Sequence, residues 1–252
     1  MPYFDQVKRF CLFASSGRSG HSIIAHLLTA HPKIMICDEL AAVSFFQEGY
    51  SREQVFALIK YQDFRHQRRN RRKSGYEYKV EGVWQNIYDK YPEVIGDAKG
   101  SRTVRLIADE DGFLDMLRYR LQIPIRILVH LRNPFDILST QIVKRNLSFE
   151  QAVQKFVRFE HKISSTYARL NEDEKLLQYH EDVIANPKES FTKMFEFLGV
   201  EPIEKVVTAC ADKIWRKPNK TRKKIKWPKS HIEEVKNCIQ RSTIFSSYDF
   251  TL

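Results

Sequence analysis

Long apolar runs are missing from this 252-residue chain. None approaches the ~20 residues that a membrane-spanning helix needs, so no span is expected. The start lacks the layout of a secretory leader. Phe10–Ala14 is too short for its apolar core and runs straight into a Gly/Ser turn. A cytoplasmic protein without a membrane partner is the expectation. Cysteine is scarce: Cys11, Cys37, Cys210 and Cys238 form no CxxC pair and no zinc-type spacing with histidine. That excludes a disulfide framework and a structural zinc site, and no metal constellation is legible. Cys11 and Cys37 lie in apolar runs and read as small buried hydrophobes in a reducing compartment. Internal repeats are absent too.

At 42% hydrophobic the chain can bury a proper core, and its length suits one large α/β domain or two small ones. The net charge of +11 is concentrated. Arg65–Lys73 holds six Lys/Arg and Arg216–Lys226 holds seven, with no acid in either. Taking those away from 42 bases leaves 29 against 31 acids, a near-neutral body. Two basic segments on such a body point to local anion sites, or to solvated loops, and not to a nucleic-acid coat.

Short apolar runs at Phe10–Ala14, Lys33–Cys37, Val94–Ile95, Ile125–Leu131 and Lys175–Tyr179 read as strands. Helical spacing follows each in turn. It covers Ile23–Leu28, stopped by Pro32, then Gln54–Tyr61, Phe113–Leu121, Pro134–Ile142, Phe149–Leu170 and Pro187–Leu198, closed by Gly199. A last helix covers His231–Ile239, and Gly96–Gly100 reads as a glycine-punctuated loop. This alternation predicts an α/β fold, a mostly parallel sheet with helices on both faces.

Ser15–Ser22 joins a strand to a helix, where unpaired backbone N–H groups and the helix dipole favour an anion. Gly17 and Gly20 let the chain turn and let phosphate approach; Ser19 and Ser22 offer hydroxyls, and Arg18 a forked cation. His21 stands where a Walker loop carries lysine, which disfavours a magnesium-dependent kinase. Arg132-Asn133-Pro134 repeats the strand–cation–helix arrangement.

Gly17-Arg18-Ser19-Gly20-His21-Ser22 resembles the 5′-phosphosulfate loop of sulfotransferases that use 3′-phosphoadenosine 5′-phosphosulfate (PAPS), most of all their tyrosylprotein and carbohydrate-type branches. Arg132 through Ser139 and Thr140 resembles their 3′-phosphate segment, with a hydroxyl eight residues after the arginine. Tyr179–Pro187 with Phe197-Leu198-Gly199, and Lys220-Thr221-Arg222 before Trp227, resemble a structural stretch and the loop that closes over the nucleotide. The resemblance runs from about residue 10 to 250.

It implies a P-loop-like three-layer fold in a single domain over 1–252. The acceptor would bind through about 43–91, and about 214–230 would close on the nucleotide. Gly17–Ser22, Arg132, Ser139, Thr140, Arg222 and Lys223 would hold PAPS and its product adenosine 3′,5′-bisphosphate (PAP), without a metal. Glu39, 21 residues after Arg18, matches the catalytic base of the tyrosylprotein branch, with Arg18 and Lys99 stabilising the transferring group. Asp38 is its neighbour, and His21 and His66 are alternative bases. Trp84 could line the acceptor site, stack on adenine or pack in the core. The acceptor would bear a hydroxyl or amine, and the basic run suggests an anionic one. A variant P-loop kinase, a basic nucleic-acid binder and a non-catalytic PAPS or PAP binder are the competing readings.

Overall fold

The computed structural model describes residues 2–73, 75–83, 85, 91–215, 217 and 219–250. Trp84 lies outside them. The first half runs β1 (Arg9–Ala14), α1 (His21–Leu28), β2 (Ile34–Cys37), α2 (Ala42–Gln47) and α3 (Arg52–Arg68). A two-residue hairpin, β3 (Arg72–Lys73) and β4 (Tyr76–Glu77), precedes β5 (Val94–Asp97). Then come α4 (Gly100–Asp109), α5 (Phe113–Leu121), β6 (Ile125–Leu131), α6 (Pro134–Arg145) and α7 (Phe149–Arg169). The last part holds β7 (Lys175–Tyr179), α8 (His180–Ala185), α9 (Pro187–Phe197), α10 (Glu204–Lys213) and α11 (Lys229–Arg241).

Five strands form one sheet in the order β2-β5-β1-β6-β7, and every pairing in it is parallel. The expected fold class is therefore the observed one. β1 is continuously apolar because both its faces are covered. Phe10, Leu12 and Ala14 point into a core shared with α2, α3, α4, α5, α7 and α11. Cys11 and Phe13 point into a second core shared with α1, α9 and α10. Phe10 stacks on Phe56 and meets Phe46 edge-on, so truncating it to alanine would cost about 3–5 kcal/mol. The chain leaves β1 toward β2 on one side and reaches β6 on the other. The carboxyl ends of β1 and β6 thus flank a switch point, where such sheets open a crevice.

Several boundaries differ from the sequence expectation. α3 continues almost two turns beyond Tyr61 and takes in the first half of the basic run. A Ser51–Gln54 capping box starts it, and Arg65 and Arg68 fall in its last turn, where the dipole favours cations. Arg71 is no solvated loop residue. It is 2% exposed and paired with buried Asp63 at 2.9 Å. β5 extends through Asp97, and Gly100 starts a helix, where a loop was expected across Gly96–Gly100. A Cβ on Gly100 would sit 2.2 Å from Ser15 Oγ, so glycine serves close packing of α4 under the loop that follows β1. α2, α8 and α10 were not anticipated either; two of them have only six residues. Among the described residues no helix is long and apolar enough to cross a membrane.

Candidate functional site

The carboxyl ends of β1 and β6 open into a cavity of about 640 Å³, within the usual range for small-ligand sites. Gly17, Arg18, Gly20, His21 and Ser22 line it from the first corner, and Arg132, Ser139 and Thr140 from the second. The corners touch: Arg132 Nη1 donates to the Arg18 carbonyl at 3.1 Å. The two arginines expected at opposite ends of one ligand therefore border a single cleft.

In the first corner Arg18 adopts φ +75 and Gly20 φ +96. Gly20 precedes α1, and a Cβ there would lie 2.6 Å from the His180 ring, so only glycine fits. The expected hydroxyl of Ser19 is absent from the cavity lining. Ser19 is fully buried, and its Oγ lies 3.1 Å from His21 Nδ1, bracing the histidine ring instead. Beside the loop, burial holds His180, which also lines the cavity, down to about 3 and pushes His130 well below the ordinary range. Both rings are neutral at pH 7.

The second corner is tied into the chain. Besides its bond to Arg18, Arg132 Nη2 donates to the Asn219 carbonyl at 2.6 Å. Burial lowers the affinity of this guanidinium for its proton, with Asp136 and Glu181 opposing the effect. Ser139 and Thr140 back-bond to the carbonyls of Phe135 and Asp136, and Thr140 Oγ1 also lies 3.1 Å from Thr221 Oγ1. Arg222 was expected on the nucleotide, yet its side chain does not line the cavity. It is 5% exposed and pairs with Asp136 at 2.5 Å, latching the single 3-10 turn Thr221–Lys224 onto α6. Lys223 is exposed and likewise off the lining. Lys217 and Lys224 of the same strap face the cavity, as do Lys144 and Arg145 from the end of α6. Lys144 could have been found by spacing, four residues beyond Thr140 on the same helical face.

Glu39 lines the opposite wall, just past β2. Its carboxylate is ion-paired with Lys99, which stands at the start of α4. Glu39 has φ +63 and Ala41 φ +61, both in the left-handed region that non-glycine residues avoid. The Asp38 carbonyl accepts from His66 Nε2 at 3.0 Å and from Gln62 at 3.3 Å. His66, considered as a base, is committed to that carbonyl and does not line the cavity. The Asp38 side chain pairs with buried His26 at 3.5 Å. His21, Asp38 and Glu39 each bring one ligand atom to within 4.8 Å of the others, a grouping the sequence did not reveal. Lys99 already sits on Glu39 and His26 on Asp38, so the cluster is a network of ion pairs and hydrogen bonds.

Among the described residues, three aromatic side chains also line the cavity. Tyr76 and Tyr78 stack with their ring centroids 6.3 Å apart, and Trp215 meets Tyr76 edge-on across the mouth. Among the described residues, six that line the cavity are Lys or Arg, and Glu39 is the one acid.

No protein-family model matches the chain, and no curated protein matches it in sequence. Solved structures do match. The sulfotransferase domain from the curacin biosynthetic pathway has a TM-score of 0.57 over 97% of this chain and 99% of that one, at 15% identity. A sulfotransferase from Alicyclobacillus acidocaldarius has a TM-score of 0.50 over 95% and 96%, at 16% identity. Retinol dehydratase, solved in complex with androsterone and the inactive cofactor PAP, has a TM-score of 0.50 over 93% and 81%, at 12% identity. The chain has the sulfotransferase fold across nearly its whole length, as its motifs led one to expect.

Proposed function

We propose that this chain is a PAPS-dependent sulfotransferase that moves the sulfuryl group to a hydroxyl or amine acceptor and releases PAP. One observation carries the reading: two strand-to-helix corners, 114 residues apart, meet at the Arg132–Arg18 bond and line one strongly basic cavity. An anion of several charges is what such a cavity neutralises. A fold neighbour crystallised with PAP supports the choice of nucleotide.

In this reading the first corner takes the 5′-phosphosulfate, through the α1 amides, Arg18 and Ser22. The second takes the 3′-phosphate, through Arg132 and Thr140, with Lys217 and Lys224 closing over it in place of Arg222 and Lys223. Glu39 removes the acceptor proton as the acceptor oxygen bonds to sulfur and the bond from sulfur to the bridging phosphate oxygen breaks. Lys99 orients Glu39 and adds positive charge beside the transferring group. The acceptor enters past Tyr76, Tyr78 and Trp215. Segment 43–91 supplies the hairpin that carries the two tyrosines, and the basic cavity rim favours an anionic acceptor.

Calorimetry with PAP tests the assignment. Arg18→Ala and Arg132→Ala should each weaken binding by about 10- to 100-fold, the worth of one or two charge-assisted hydrogen bonds. Unchanged affinity in both would defeat it. Glu39→Gln should keep PAP affinity and slow transfer of labelled sulfate from PAPS to an extract by about 100-fold or more.

A further inference from the structure

We propose that Asp97 is a positioning residue for the base. Its buried carboxylate holds the turn Asp38–Ala42 in the one shape that presents Glu39 to the cavity. The inference rests on the sulfotransferase reading above and extends it to a residue outside the cavity lining.

The placement follows from the sheet. β2 and β5 pair in parallel with Cys37 opposite Asp97, so the Asp97 carboxylate lies at the point where the chain leaves β2. Oδ1 accepts the Leu40 amide at 3.1 Å, Oδ2 accepts the Ala42 amide at 3.0 Å, and the Cys37 thiol donates at 3.4 Å. The turn that carries those amides holds Glu39 and Ala41 at positive φ. That conformation is strained for an L-residue, so the turn needs partners outside itself to keep it. Two residues beyond Asp97 the same strand end supplies Lys99, which pairs with the Glu39 carboxylate. The end of β5 thus grips one residue twice, by its flanking backbone and by its side chain.

The chemistry of the group favours a positioning role over a purely stabilising one. Asp97 is fully buried, and burial pushes its carboxyl up to about 6. An ionised carboxylate at that depth costs the fold stability at neutral pH, and a neutral amide of the same shape would cost less. An amide, however, is half donor. Two converging N–H groups and a thiol need a group that only accepts, and a carboxylate is that group.

The test uses the full-length chain carrying Asp97→Asn and, separately, Asp97→Ser, so that a folding failure in one leaves the other. Both should keep PAP affinity and the KM for PAPS. The melting temperature at pH 7 should fall by no more than about 4 °C. Sulfate transfer should slow about 10- to 100-fold in kcat, the effect of misplacing a catalytic group by an ångström or less. Amide hydrogen exchange at Leu40 and Ala42 should speed up while exchange across α1 does not. Unchanged exchange at both amides, or unchanged kcat in both variants, overturns the proposal. So does a loss of PAP affinity that parallels kcat, the mark of general structural damage. If neither variant folds, the wild-type exchange rates decide: slow exchange at Leu40 and Ala42 supports the clamp, and exchange at the rate of an open loop overturns it. The exchange and binding readouts need no turnover. A wild-type chain that binds PAP, protects both amides and transfers no sulfate would sink the functional reading and the role of Asp97 in catalysis, while leaving the clamp itself standing.

Discussion

Two turns at the carboxyl end of the sheet solve one problem in different ways. Each follows a strand, and each holds a charged non-glycine residue at positive φ: Arg18 after β1 and Glu39 after β2. The first turn is closed mainly by its own residues, with Arg132 adding one distant bond to the Arg18 carbonyl. Gly17 and Gly20 flank Arg18, the Ser19 amide returns to the Ser16 carbonyl, and the Ser19 hydroxyl meets His21 two residues on. The second is held from elsewhere in the chain, by Asp97 on the neighbouring strand and by Gln62 and His66 on α3. A turn made by its own sequence should be sensitive to local substitution. A turn made by distant partners should be sensitive to theirs.

The largest effect expected from this contrast is the pH dependence that Asp97 gives the second turn. The Asp97 carboxyl is raised from 3.8 to about 6, so the native chain holds a proton that the unfolded chain has already released across that window. The stability it contributes is therefore full below pH 3.8 and is lost as pH rises through about 6. Urea unfolding of wild type against Asp97→Asn should show the wild type losing about 3 kcal/mol relative to the variant over that range. A constant difference across pH would break the comparison. Next comes Gly20→Ala in the first turn, which forces a Cβ into the His180 ring from a left-handed backbone. A loss of about 2 kcal/mol is expected from urea unfolding. Adding His180→Ala to that variant should recover the part due to collision and leave the backbone part. The smallest effect should come from His66→Ala, which removes one bond to the Asp38 carbonyl. A loss of about 1 kcal/mol is expected, with faster amide exchange in the 38–42 turn and none in the Gly17–Ser22 loop.

The same contrast explains how much could be read from the sequence. β6 and β7 were legible to the residue, and β1 nearly so, because a buried parallel strand is a continuous apolar run whatever surrounds it. The turn Gly17–Ser22 was legible because its glycines sit beside the residue they serve. Asp97 was misread as part of a loop. A carboxylate in a stretch bounded by Gly96 and Gly100 resembles a turn, and the amides that justify its burial lie 55 and 57 residues away. Arg222 was misplaced for a similar reason. Which face of the strap meets the cavity is decided by Asp136, 86 residues earlier, which claims Arg222 and leaves Lys224 to the lining. His66 reads as a free histidine until Asp38 is seen to accept from it. In each case local pattern identified the chemistry and a long-range partner decided its direction.

The strand order carries a consequence for the chain as it is made. β1 lies at the centre of the sheet, but its two neighbours, β5 and β6, are encoded about 80 and 115 residues later. During synthesis at roughly 5–20 residues per second, both edges of Arg-Phe-Cys-Leu-Phe-Ala wait for several seconds at least before either is covered. A strand with five apolar residues in a row and open edges is a template for wrong pairing. The nascent protein should therefore be most prone to aggregate in the interval before β6 leaves the ribosome, and most responsive to chaperones that shield extended segments.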